Sequence, residues 1–232
     1  KTYIGKMKYI ASRNNNENSQ FEVGVLITNL GTPSAPTKPA LKNYLREFLS
    51  DPRVIEIPRL VWWFILNVII LNIRPAKSAE AYSTVWTKDG SPLLVNTRNQ
   101  SNKLCESLCS IHGNRICVDF GMRYGEPSIA TALENLMEKG IRKLLVLPLY
   151  PQYSGPTTGS TYDAISVNFM QRRWIPELRF VSSYHEHPAY IGAISTQITR
   201  HRESYGKSDM LIFSYHGEPQ SYKDAGDPYF SQ

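Results

Sequence analysis

The chain has 232 residues, enough to bury a substantial core in one or two domains. Its apolar fraction of 41% beside 20% charged residues describes an ordinary soluble globular protein. The net charge of +6 is interleaved with acids along most of the sequence and forms no arginine/lysine stripe, so no nucleic-acid partner is expected.

Lys1, Lys6, Lys8 and Arg13 open the chain without an acid among them, and a polar, low-complexity stretch runs from Asn14 to Ser19. Residues 1–21 therefore read as a disordered lead-in, and no apolar core follows that would make them a secretory signal. The chain starts at Lys1 without a methionine and stops sixteen residues after His216 in mid-pattern, so it reads as a piece of a longer protein.

Residues 23–28 have the character of a buried strand, followed by the turn Asn29-Leu-Gly-Thr-Pro33. Leu41, Tyr44, Leu45 and Phe48 give residues 39–49 a helical period that stops before Asp51-Pro52. Residues 60–73 form an apolar run of fourteen with two asparagines, too short to cross a bilayer. The run is either a core helix or an apolar flap over a large flat ligand or a membrane surface. Adjacent Trp62 and Trp63 favour the flap, because neighbouring helical positions face different directions.

Residues 97–110 are an amphipathic helix carrying Cys105 and Cys109. Together with Cys117 these read as free thiols in a reducing compartment. A strand over 115–120 runs into Gly121-Met-Arg-Tyr-Gly-Glu-Pro127, and a helix over 128–139 is closed by Gly140. The apolar strand 143–149 ends in Tyr150-Pro-Gln-Tyr-Ser-Gly-Pro156. A helix over 158–172, a strand over 178–182, a helix over 189–205 and a last strand at Met210–Phe213 complete the pattern. His185 and His187 have metal-like spacing, but a solvated turn before Pro188 is the better reading.

Strands alternating with helices imply right-handed βαβ units and a mostly parallel sheet. The expected fold is α/β, with two Rossmann-like halves of parallel sheet flanked by helices: a first domain over 22–151 and an incomplete second over 152–232, hinged at the Pro/Gly-rich residues 148–156. In such a sheet the loops after the strands share one edge, where ligands bind. Those loops are residues 29–33, 122–126, 150–158 and 215–219. His216 stands out among them, because imidazole is suited to take a proton or hold a divalent metal near neutral pH. A histidine that merely caps a strand is the plain alternative.

These segments resemble the ferrochelatase family in its proteobacterial form, enzymes that insert Fe(II) into a porphyrin. The likeness runs from Gly24 to Phe230. In the first part of the chain it rests on Gly24-Val-Leu-Ile-Thr-Asn-Leu-Gly-Thr-Pro33, Phe48-Leu-Ser-Asp51, Val85-Trp86 with Gly90-Ser-Pro-Leu93, and Gly121-Met-Arg-Tyr124. Further on it rests on Leu147-Pro-Leu-Tyr-Pro-Gln152, Thr158-Gly159, and Ser214-Tyr-His-Gly217 with Gly226-Asp-Pro-Tyr229.

The resemblance implies a chelatase-like fold, with protoporphyrin IX and ferrous iron as substrates and protohaem as product, in the final step of haem biosynthesis. It implies no required cofactor and a cytoplasmic location, with peripheral contact to the inner membrane left open. His216 would be the family's essential histidine, metal ligand and proton acceptor, paired across the cleft with a glutamate from a later helix. Arg123 would bind a propionate or hold the cleft wall by charged hydrogen bonds. Tyr124 would stack its ring on the porphyrin and put its hydroxyl near the metal path, and so counts among both catalytic and binding residues. Leu30 would touch the macrocycle, Trp62 and Trp63 would form its lip, and Ser154 joins the binding residues. Some relatives carry an iron–sulfur cysteine after the serine of the Tyr-Pro-Gln-Tyr-Ser motif. Gly155 stands there, which rules out a cluster through that position. A cobalt or nickel chelatase of the same fold, a porphyrin binder without turnover, and the oligomeric state all stay open.

Overall fold

The structure is a computed structural model that describes Tyr9 and residues 20–232. The lead-in expected over residues 1–21 lies outside the described residues, apart from Tyr9, Gln20 and Phe21.

β1 (Val23–Gly31) runs through the interior of the sheet because it is apolar on both faces; Val25, Leu26 and Ile27 are all buried. β2 (Ile116–Tyr124) pairs with it in parallel on one side, with Val118 opposite Val25. β3 (Lys143–Pro148) does so on the other side, with Leu145 opposite Val25. β4 (Glu177–Phe180) adds to β3 through Leu178 opposite Leu144, giving the order β2-β1-β3-β4.

Between β1 and β2 the chain forms α1 (Lys38–Leu49), α2 (Arg59–Phe64), a π-helical stretch Ile65–Ile70, α3 (Leu71–Val85) and α4 (Pro92–His112). α5 (Ile129–Glu138) links β2 to β3, and α6 (Ser160–Met170) links β3 to β4. α7 (Pro188–Tyr205) and the short α8 (Gln220–Asp224) follow. Serine hydroxyls at the caps start two of these helices: Ser91 accepts from the Leu94 N–H and Ser128 from the Thr131 N–H.

Two apolar cores result. Ile129, Leu133 and Leu136 of α5 pack with Ile165 and Phe169 of α6 against Leu26, Leu144 and Val146 of the sheet. Fully burying one such side chain contributes about 1.5–3 kcal/mol, which makes this layer the main support of the sheet. The second core gathers Leu41, Leu45 and Leu49 of α1 with Trp62, Leu66, Leu71 and Tyr124.

At the carboxyl edge, β1 and β2 approach closely. Gly31 sits at φ +110° and lies opposite Tyr124, and a Cβ there would come within 1.7 Å of the Tyr124 carbonyl oxygen. Gly31→Ala adds both the left-handed backbone strain and a backbone collision. It is expected to cost about 3 kcal/mol of stability, measured by chemical denaturation.

Four differences from the sequence reading emerge. β1 and β2 continue to Gly31 and Tyr124, so the turns begin later than expected; the ladder persists because Gly31 tolerates the close pairing. The apolar run at 60–73 is the start of one continuous 27-residue helix, Arg59–Val85, which is long and apolar enough, by length and composition alone, to cross a membrane. Only 22% of its most apolar stretch is buried. Trp62 lies inside the second core while Trp63 is 63% exposed, so the helix is part core and part open apolar face.

The third difference is that Met210–Phe213 is no strand. An apolar run signals burial against a neighbour without naming one, and this segment pairs with no strand among the described residues. Its four side chains are exposed. Fourth, β4 lies beyond the boundary expected at 151/152, yet it pairs with β3 in the same sheet.

Candidate functional site

Because all four strands run in parallel, the loops after β1, β2 and β3 leave from one edge. A cavity of about 460 Å³ opens there. Leu30 from the end of β1, Phe48 from α1, and Leu149, Tyr150 and Pro151 from the β3 loop form much of its wall. Ser154 and Pro156 continue that loop around the cavity, and His216, Glu218, Tyr222 and Tyr229 close it from the last part of the chain.

The closing segment is tied down by its own polar contacts. Asp227 accepts from the Gly155 N–H at 2.6 Å and from the Tyr229 N–H at 3.0 Å. The Tyr222 hydroxyl donates to the Val54 carbonyl at 3.1 Å. The Tyr153 N–H donates to the Gln232 side chain at 2.8 Å. His216 is exposed and reaches the cavity from an irregular segment rather than from a strand end. Its place is fixed by the anchors that follow it.

Glu218, two residues on, accepts a hydrogen bond from the buried Ser154 hydroxyl through Oε1. Its other oxygen, Oε2, is buried without a hydrogen-bond partner. Burial pushes the Glu218 carboxyl above its ordinary range; the Ser154 bond and nearby His216 pull against that, and Asp227 adds to it. The Tyr150 hydroxyl is likewise buried and unpartnered, and burial pushes it up as well.

Arg123 and Tyr124 do not line the cavity. The Arg123 guanidinium donates to Asp51 Oδ2 at 2.5 Å and to Ser160 Oγ at 2.6 Å. The Tyr124 hydroxyl donates to the same Asp51 oxygen at 2.8 Å, and the Ser160 hydroxyl does so at 2.5 Å. Burial alone would raise the Asp51 carboxyl. The hydrogen bonds from Ser160, the Arg53 N–H and Tyr124, with the charge of Arg123, outweigh it and hold the group below its ordinary value.

The Tyr124 ring is fully buried, edge-on to Phe48 at 5.1 Å, with the Arg123 guanidinium over it at 4.6 Å. The expected stacking of a porphyrin on Tyr124 therefore has no open ring face, because that side chain is fully buried and Phe48, which does line the cavity, packs against it. Of the two roles expected of Arg123, its contacts are those of a group bracing the wall.

Leu30, Ser154 and His216 are thus brought together, whereas Trp62 and Trp63 border a separate depression with Ser50, Arg59 and Leu66. The Trp62 indole N–H donates to the Leu49 carbonyl at 2.6 Å, which turns that ring inward, away from the expected lip. His187 caps α7, its Nδ1 accepting from the Ala189 N–H. No group of three or more His, Cys, Asp or Glu suited to hold a metal lies among the described residues. Sequence reasoning missed Glu218, Asp51 and Tyr150. Each sits inside a quoted motif or beside one, but only long-range contacts reveal what it does.

The family model for ferrochelatase matches residues 22–232. Proteins named ferrochelatase from Pseudoalteromonas atlantica and Idiomarina loihiensis are 56% and 54% identical over 223 residues, 96% of this chain. One from Alcanivorax borkumensis is 54% identical over 226 residues, 97% of the chain. These matches cover 62%, 61% and 66% of the relatives' own lengths, so the chain spans less than two thirds of each. With its parallel α/β sheet and a histidine in the cavity at the carboxyl edge, the chain belongs to the ferrochelatase family.

Proposed function

We propose that the protein inserts Fe(II) into protoporphyrin IX, giving protohaem and two protons, as the closing step of haem biosynthesis. The observation that carries this reading is the cavity at the sheet edge, largely apolar in its wall and holding His216. A flat apolar macrocycle is matched by surfaces such as Leu30, Phe48, Leu149 and Pro151, with few polar groups to fix its orientation.

Metallation breaks two pyrrole N–H bonds, leaves the electron pairs on nitrogen and lets them bind the metal. Neutral imidazole serves either half of that exchange, as a ligand that hands over Fe(II) or as a base that takes a proton. Iron is the substrate, and no further cofactor is needed. Ser154 and Leu30 belong to the substrate wall, while Arg123 and Tyr124 act from behind it through Asp51.

The location follows the same reading. Leu60, Trp63, Phe64 and Ile73 are exposed on one helix, which supports peripheral contact with the cytoplasmic face of a membrane holding the apolar porphyrin. Three free cysteines agree with a reducing cytoplasm.

The test is anaerobic metallation of protoporphyrin IX by the intact natural protein, followed by visible absorbance, with cobalt and nickel in parallel. Iron is expected to be inserted fastest. Preference for cobalt or nickel, or porphyrin binding without metallation, would overturn the proposal.

A further inference from the structure

We infer that Cys105 and Cys109 form a binding site for a soft divalent metal ion of the zinc and cadmium class, apart from the cavity at the sheet edge. The inference does not rest on the proposed function, since none of the described residues lining that cavity belongs to α4. In the sequence the two residues read as free thiols, and their placement adds the chemistry.

The two cysteines stand four positions apart on α4, which sets them on one face of the helix. Their sulfurs lie 4.0 Å apart and both residues are half-buried, so the pair is already assembled and still reachable from solvent. Cys117 is not part of it: that residue is buried, with its Sγ against the Val23 carbonyl of β1 at 3.8 Å.

The geometry separates the chemistries open to such a pair. A disulfide draws its Cβ atoms to about 3.5–4.5 Å, whereas positions four apart on a helix hold theirs about 5–6 Å apart. Oxidation would therefore distort the end of α4. A metal ion asks for no such change. Two metal–sulfur bonds of about 2.3 Å at a tetrahedral angle hold their sulfurs about 3.8 Å apart, close to the spacing already present. The Ile116 carbonyl oxygen lies 3.9 Å from Cys109 Sγ, a separation of the same size, and offers a third donor from the start of β2. Water completes the shell.

Thiolates select soft ions and hold Fe(II) less well than Zn(II), so this pair discriminates against the metal proposed for the cavity. Charge selects further. On binding, both S–H bonds break, each electron pair stays on sulfur and is donated to the ion, and two protons leave to water. A divalent ion makes the resulting unit neutral. A monovalent ion would leave a net negative charge, which is disfavoured in the last turn of a helix, where Cys109 stands.

Cadmium titration of the intact natural protein, reduced and stripped of metal, tests this through the ultraviolet charge-transfer band of cadmium thiolates. Imidazole ligation at His216 does not produce that band. Cys105→Ser and Cys109→Ser are each expected to cut the band and to weaken cadmium binding more than about tenfold, with zinc competing for the same site in wild type. Cys117→Ser is expected to change neither. Thiol alkylation of the wild-type protein, read by peptide mass, gives a measurement that needs no variant: either ion is expected to slow modification of Cys105 and Cys109 together. A band that survives either of the first two substitutions, or one lost in Cys117→Ser, would overturn the inference. So would alkylation of Cys105 and Cys109 at the same rate with and without the ions.

Discussion

His216→Ala in the intact protein is expected to abolish iron insertion while leaving protoporphyrin affinity within an order of magnitude. The separation follows from the cavity wall. Among the described residues His216 is the only imidazole lining it, whereas the contact area for a macrocycle comes from Leu30, Phe48, Leu149 and Pro151. Removing a positioned base or metal ligand costs about 10²–10⁴ in rate. Removing one exposed side chain from the rim leaves most of the apolar burial in place. Stability should change by no more than about 0.5 kcal/mol, as is usual for exposed positions. Stopped-flow metallation beside equilibrium fluorescence quenching reads both quantities; a variant keeping a tenth of wild-type turnover would refute the role.

The largest stability effect is expected at Asp51. Three donors (Arg123 Nη2, the Tyr124 hydroxyl and the Ser160 hydroxyl) converge on its Oδ2 within 2.8 Å, and the Asp51 side chain is only 3% exposed. Asp51→Ala removes the acceptor these three donors share and leaves a guanidinium, 19% exposed, without its counter-charge. Breaking a buried pair on one side costs about 3–5 kcal/mol.

The effect carries a pH signature. The folded carboxyl is held below its ordinary value, so its contribution is complete above the unfolded value, about 3.9, and is lost as pH falls through the folded one. The stability gap between wild type and Asp51→Ala should therefore be widest near neutrality and shrink on acidification below about pH 4. Denaturant unfolding at several pH values measures it, and a gap that stays constant down to strong acid would contradict the assignment.

The legible parts of this molecule were those set by local pattern. Apolar runs located β1, β2, β3 and β4, and helical periods located α1, α4, α5, α6 and α7, because burial and periodicity are written in short windows. The adjacency of Trp62 and Trp63 correctly implied that one ring would lie outside the core. Met210–Phe213 misled because a strand is a relation between two segments, and its apolar composition describes only one of them. The site divided along the same line. His216 was legible as an imidazole in a loop bounded by Gly217 and Pro219. Asp51 and Glu218 were not, since their meaning lies in contacts 72 and 64 residues away along the chain.

The π-helical stretch Ile65–Ile70 inside the long helix has a consequence for how that helix faces its surroundings. The inward positions fall at Trp62, Leu66, Leu71 and Pro75, a spacing of four, five and four. A uniform α-helix would have brought Ile70 inward instead, and the wider winding slips the phase by one residue. The Asn72 side chain caps the carbonyls of Asn67 and Val68 along this slipped turn, at 3.1 and 2.8 Å. Seen this way, the helix holds a stored frameshift. Upstream of it, Trp62 keys the helix to α1; downstream, Leu71 does so again, and the extra residue leaves Val68 and Ile69 on the open side. One added residue thus lets a single helix keep its grip on the core at both of these points while apolar side chains recur along its outer face from Leu60 to Ile73.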